Sequence, residues 1–191
     1  TLDNSFARGP FIVEVVGCGG TGGFVAEGLC RLIPPQARST LVLVDHDRVE
    51  ERNLGRQNFL LEDLGRFKSA ALAERLARRY GRPVGHSAVP VAKLAMGTPG
   101  LVIGCVDNGP ARADIAQKAG SYPHFWYIDA GNGENYGQVL IGNATLKGLE
   151  GAFDPGTGIC HALPLPTIQR PEILGQPPPP RDCAGAVVAG E

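Results

Sequence analysis

One short stretch limits the choice of folds more than any other: FIVEVVGCGGTGGFVAEGLCRLI, residues 11–33. Phe11 to Gly17 is a near-continuous apolar run, as a parallel strand buried on both faces requires. Gly17 to Gly23 then supplies a turn rich in glycine. Phe24 to Ile33 returns apolar residues at helical spacing and stops at Pro34 and Pro35. A strand, a glycine turn and a helix in that order open a doubly wound α/β sheet. Glycines there allow a tight turn and a close approach of main chain to ligand. The helix start beyond offers free N–H groups and partial positive charge to a phosphate. Gly17, Gly19, Gly20 and Gly22 are the candidates. The pattern is not the G-x-x-x-x-G-K-[ST] of a P-loop, and many unrelated Rossmann-like chains carry its like. A turn without any ligand would read the same.

The remaining pattern extends that opening unit. TLVLVD (40–45) reads as a second strand and Leu64–Gly81 as a helix, with Leu72, Leu76 and Tyr80 on one face and Gly81 as its stop. VGHSAVPV (84–91) is a third strand and Gly100–Asn108 a fourth, apolar until its acid. A helix with Pro110 in its first turn follows, then strands at HFWYIDAG and YGQVLIGNAT. The order β-α-β-α-β-β-α-β-β predicts a doubly wound, Rossmann-like, mostly parallel sheet, with antiparallel strands at one side. Near Gly148 the periodicity ends, and half of the 16 prolines lie after Asp154. The expected division is a nucleotide-binding domain over 1–147, a proline-rich crossover loop over 148–182, and the start of a helix over 183–191.

Composition excludes several classes. With 191 residues and 43% hydrophobic content the chain can bury a core of its own. A net charge of −1 argues against general binding to nucleic acid through its phosphates. No apolar run approaches the roughly 20 residues of a membrane span. The five cysteines include no C-x-x-C pair, so no structural zinc is expected. Reduced thiols place the chain in the cytosol.

The stretch DHDRVEERNLGRQ, residues 45–57, raises the functional question. Asp45, at the end of the second strand, can accept hydrogen bonds from ribose hydroxyls; Asp47 reads as a solvated turn residue. A ribose needs no arginine, yet Asn53, Arg56 and Gln57 follow, with Lys68 beyond. Arg56 carries a permanent charge on a fork matched to phosphate oxygens. Lys68 opens a helix, where a cation opposes the helix dipole unless it faces an anion. Asp107 ends the fourth strand, where open α/β sheets gather their ligands, and a carboxylate there can hold magnesium. Asp107 and Asn108 are equally suited to cap the following helix.

As a set, Gly17–Gly23, Asp45, the N-x-x-R-Q of Asn53, Arg56 and Gln57, Lys68, and Asp107 with Asn108 and Arg112 resemble the adenylating domain of the ThiF/MoeB/HesA type, the ubiquitin-activating enzyme-like family. The resemblance covers roughly the first 145 residues. It implies an ATP- and magnesium-dependent adenylyltransferase that activates the C-terminal glycine carboxylate of a ubiquitin-like or sulfur-carrier (β-grasp) protein and releases pyrophosphate. It implies Asp45 at the ribose, Asn53, Arg56, Gln57 and Lys68 around the triphosphate, Asp107 on magnesium, and a homodimer. Such chemistry needs no general base, because the attacking carboxylate is already ionised and fixed cations relieve the anion–anion approach.

Some members pass the acyl group to a cysteine. Cys183, after the proline run and before an apparent helix, resembles the crossover-loop cysteine of several relatives; Cys160, beside His161, is the second choice. Cys18, Cys30 and Cys105 read as small core residues. Two competing functions remain. An NAD(P)-dependent oxidoreductase would explain the glycine turn and Asp45 but not Arg56, Gln57 and Lys68. A non-catalytic partner subunit of an activating enzyme would not need an intact polar set.

Overall fold

The computed structural model describes residues 11–33, 38–95, 100–122, 125–132 and 137–175. Six strands form one sheet: β1 (Phe11–Val16), β2 (Ser39–Val44), β3 (Gly85–Ser87), β4 (Gly100–Gly104), β5 (Phe125–Asn132) and β6 (Gly137–Gly142). Their order across the sheet is β3-β2-β1-β4-β5-β6. The first five run parallel, and β6 returns antiparallel against β5, with Ile128 opposite Ile141. This is the α/β, Rossmann-like arrangement read from the sequence, with its antiparallel strand at one edge. The order reverses between β1 and β4, so a crevice opens there at the carboxyl ends of the strands.

Among the described residues five α-helices complete the frame: α1 (Gly20–Leu32), α2 (Glu51–Leu54), α3 (Lys68–Tyr80), α4 (Gly109–Ser121) and α5 (Pro166–Gln169). Alternation along β1 separates two cores. Val13 and Val15 pack with Ala26 and Cys30 of α1 and with Leu72 and Leu76 of α3. Val16, on the other face, joins Val102, Ile115, Ala119, Phe125 and Tyr127 around α4. Full burial of a Leu or Phe contributes on the order of 2 kcal/mol, so helices on both faces are held to the sheet mainly by these rows. α3 ends where the sequence predicts, with Gly81 in the left-handed region at φ +61°.

The segment after Gly148 is built of short pieces as far as Gly175. A small hairpin pairs β7 (Phe153–Asp154) with β8 (Ile159–Cys160). Residues 163–165 then run beside the end of β6: Asn143 N–H donates to the Leu163 carbonyl at 2.9 Å, and Ala144 bridges Pro164. Leu165 and Ile173 are buried. A Cβ on Gly142 would sit 1.8 Å from the Pro164 oxygen, and one on Gly109 2.0 Å from the Leu174 oxygen. Those two glycines let this strap lie directly on β6 and on the start of α4. Among the described residues no helix is long and apolar enough to cross a membrane.

Candidate functional site

A cleft lies over the carboxyl ends of β1, β2 and β4. Gly17, Gly19, Asp45, Gln57, Lys68 and Asp107 line it, together with His46, Asp47, Val89, Val91 and Val106. Six residues singled out in the sequence thus converge on one space from five separate segments.

The glycine turn is shaped by close packing. Gly17 has φ +89°, and a Cβ there would meet the Cys105 carbonyl oxygen at 2.7 Å. A Cβ on Gly22 would fall 1.7 Å from the Gly17 oxygen. The first turn of α1 therefore rests on the end of β1, with Gly19 as its N-cap and no side chain capping it. Its leading N–H groups are left for a ligand. Gly22 builds this floor without lining the cleft.

Asp45 is tied down by main chain. Cys18 N–H donates to its Oδ2 at 2.7 Å and Asp47 N–H to its Oδ1 at 2.8 Å. Burial pushes its carboxyl above the ordinary aspartate value, opposed by those two N–H groups and by the Lys68 charge. Each oxygen keeps a lone pair for a hydroxyl. The loop beyond is fastened to α3: Ser69 Oγ donates to the Asp45 carbonyl at 2.8 Å, and Arg48 lies 4.0 Å over the Phe67 ring.

Lys68, the first residue of α3, sends its ammonium to Asp47 Oδ2 at 3.2 Å. The lysine side chain is 11% exposed, its partner 58%. Asp47 is thus at a turn and largely solvated, as the sequence predicts, but it also holds the lysine. Atoms of Asp45, His46 and Asp47 lie within 4.8 Å of one another. The Lys68 ammonium already supplies a cation there.

Gln57 reaches over the glycine turn, its amide nitrogen 3.7 Å from where a Gly19 Cβ would stand. Its Oε1 is buried and has no hydrogen-bond partner among the described residues. A buried acceptor left open is costly in a protein unless something else fills it. Asn53 is buried at 3% exposure, but it does not line the cleft. Its Oδ1 accepts from the Glu50 N–H at 2.9 Å and so caps α2, the turn that presents Gln57. Arg56 is not brought into the cleft either. Its guanidinium is exposed and Nε donates to the Arg52 carbonyl at 3.1 Å. Only its main chain is near the site, with its oxygen 3.9 Å from a Cβ placed on Gly20.

At the opposite wall Asn108 caps α4, its Oδ1 accepting from Ala111 N–H at 2.9 Å. Asp107 is thereby spared that task and stands exposed at the mouth, with Asn108 Nδ2 3.4 Å from its Oδ1. Behind it Arg112 Nε (3.1 Å) and Tyr127 OH (2.6 Å) both donate to Oδ2 of the fully buried Asp129. Arg112 also donates to the Ile173 carbonyl at 3.3 Å, which ties the strap to this wall. Cys105 lies in the cleft wall, where burial, then the Asp129 charge, pushes its thiol up to about 12. Burial raises Cys18 as well. Cys18 is a buried packing thiol, as expected, whereas Cys105 is half-buried and lines the cleft. Cys160 is exposed on β8, its thiol 3.0 Å from the Ala162 oxygen. Cys183 lies outside the described residues.

Sequence reasoning passed over His46, Val89 and Val91 in the lining. The two valines flank Pro90, and their alternation was the available signal.

A profile of the ThiF family matches residues 11–157. This chain belongs to the ThiF family. Among curated relatives, it is 32% identical over 106 residues to the ATP-dependent ubiquitin transferase-like protein Cap2 of an Escherichia coli strain. That match takes in 56% of this chain and 15% of the relative. It is 31% identical over 173 residues to ubiquitin-like modifier-activating enzyme 5 of Aedes aegypti, covering 82% of this chain and 40% of that protein. The ThiF-family chain thus spans well under half of either relative. Its fold is also that of E. coli MccB crystallised with AMPCPP and MccA, with a TM-score of 0.58 and 20% identity over 72% of this chain and 41% of that one. E. coli tRNA N6-threonylcarbamoyladenosine dehydratase, TcdA, in complex with AMP, aligns with a TM-score of 0.50 and 27% identity over 64% of this chain and 51% of that one.

Proposed function

We propose that this ThiF-family chain binds ATP with magnesium in the cleft and adenylates the C-terminal carboxylate of a ubiquitin-like or sulfur-carrier protein of β-grasp fold ending in glycine. The observation that carries the reading is the orphaned, buried Oε1 of Gln57, whose amide lies over Gly19 in the same cleft as the Lys68 ammonium. A cation and an uncapped helix start facing one space fit a nucleotide's phosphates, and the open Gln57 acceptor fits a group that donates, such as a ribose hydroxyl or a magnesium-bound water.

In this reading the Asp45 carboxylate accepts the ribose hydroxyls. The N–H groups beginning α1 and the Lys68 ammonium take the phosphates. Gln57 offers the N–H groups of its amide to the phosphates without adding charge and keeps Oε1 for a donor, and Asn53 holds the turn that carries Gln57. Asp107 would hold magnesium, which when bound neutralises phosphate charge. Arg56 joins the triphosphate only by releasing the Arg52 carbonyl. The attacking carboxylate of the partner protein needs no base from this chain, and charge building on departing pyrophosphate meets Lys68 and Arg56. The relatives named for ubiquitin-like modifiers, and MccB with its AMPCPP and MccA, support this chemistry by kinship. Kinship is likewise the ground for a homodimer and a thioester on Cys183, with Cys160 as the second choice; the cytosolic setting rests on the reduced thiols.

Exchange of labelled pyrophosphate into ATP tests the reading. Exchange that requires a glycine-terminated β-grasp protein is the expected result. Arg56→Ala and Asp107→Ala should each abolish it while leaving the thermal melt unchanged. Binding of reduced nicotinamide in place of ATP would move the assignment to an oxidoreductase. Binding of neither would leave a non-catalytic subunit.

A further inference from the structure

We propose that Asp47 is a positioning residue, whose carboxylate holds the Lys68 ammonium inside the cleft so that it meets the phosphates already oriented. The proposal rests on the nucleotide reading above and adds a residue to it.

Three features carry it. Lys68 opens α3 where the helix dipole repels a cation, and the N-cap residue Phe67 supplies no side-chain bond there. The lysine side chain is only 11% exposed, so water does little to hold its charge. Its ammonium instead meets Asp47 Oδ2 at 3.2 Å. The acid itself is fixed at both ends of its peptide unit: its N–H donates to Asp45 Oδ1 at 2.8 Å and its carbonyl accepts the Lys68 N–H at 2.9 Å. Asp47 Oδ1 lies 3.8 Å from His46 Nε2 and takes no part in holding the lysine. Asp45 already accepts two main-chain N–H groups, and Asp47 is the acid that the Lys68 ammonium meets. A lysine has four rotatable side-chain bonds, and an anchor at its tip removes much of that freedom before a ligand arrives.

The sign of the effect follows from exposure. Asp47 is 58% exposed, so water screens its repulsion of incoming phosphates. The shielded lysine feels its anchor more strongly than the phosphates feel the acid. Removing the acid should therefore weaken nucleotide binding, and only while Lys68 is present.

A double-mutant cycle read by titration calorimetry with magnesium ATP tests this on the 191-residue chain. Asp47→Asn should weaken ATP binding on the order of fivefold, and change it by less than about twofold in a Lys68→Met background. Asp47→Ser serves in the same cycle if the amide variant fails to fold. Tighter binding by Asp47→Asn, or an equal loss in both backgrounds, overturns the proposal. A wild-type chain that binds no ATP overturns the nucleotide reading first. A wild-type chain that binds, with an Asp47 variant indistinguishable from it, overturns this inference alone.

Discussion

A Cβ placed on Gly22 would stand 1.7 Å from the carbonyl oxygen of Gly17. The start of α1 and the end of β1 are therefore pressed together, with no room for a methyl group. Gly22→Ala must separate them, and we expect a loss of at least about 3 kcal/mol with loss of ATP binding. Gly28, on the exposed side of the same helix, has nothing within 4 Å of its would-be Cβ. Gly28→Ala should add up to about 1 kcal/mol. Thermal melts followed by circular dichroism compare the two; equal melting temperatures would contradict the packing described.

Gln57 should separate binding from folding. Replacing it with Met removes the unpartnered Oε1 at nearly constant volume. The free chain should hold its stability or gain about 1 kcal/mol. ATP binding should fall at least about tenfold, since a buried ligand group would then lose its partner. A stability loss with unchanged ATP affinity would mark Gln57 as structural.

Glu14 makes stability depend on pH. It lies in the middle of β1, opposite Val42 and Val102, with Oε2 buried and unpartnered among the described residues. Burial raises its carboxyl from the ordinary 4.5 to about 7, and the Lys118 charge only partly offsets this. Below about pH 4.5 both folded and unfolded chains carry the proton, and the residue costs nothing. Between there and about pH 7 the unfolded chain gives its proton up first, so stability falls as pH rises; above 7 the loss is complete. Glu14→Gln should match the wild type near pH 4 and exceed it by ~2 kcal/mol at pH 8. Urea unfolding at both pH values measures the difference.

Asp129 is the acid whose loss should be felt most. It is fully buried and shared by Arg112 and Tyr127. Asp129→Ala leaves the Arg112 charge, 11% exposed, without its partner, and a cost of about 3–5 kcal/mol is expected. Tyr127→Phe removes one neutral donor and should cost only about 1 kcal/mol. Equal effects in chemical denaturation would show that the phenol, not the ion pair, holds this corner.

The strands and long helices were legible because they bury whole faces. Phe11–Val16 and Gly100–Gly104 lie at the centre of the sheet, where both sides must be apolar, and the sequence pattern is then unambiguous. Gly81 was legible because a left-handed stop is a local demand. The strap of 163–175 was not legible, because its closest contacts are single carbonyls laid on Gly109 and Gly142, a relation between residues far apart in sequence. In the cleft, charge and spacing pointed to Lys68 but not to its partner. Whether Asp47 is a turn residue or an anchor depends on where α3 begins in space, and no periodicity reports that. Asn53 and Gln57 share one motif and differ by a single helical turn. That turn hides one as a cap and aims the other at the cleft.

Gly109 joins two things that would otherwise be judged apart. It stands two positions beyond Asp107, and the Leu174 carbonyl rests where its side chain would be. A bulkier residue there would push the strap away and, by the same stroke, tilt the mouth of the cleft. The resulting defect would look chemical when assayed, though its origin would be a displaced peptide on the far side of the helix start.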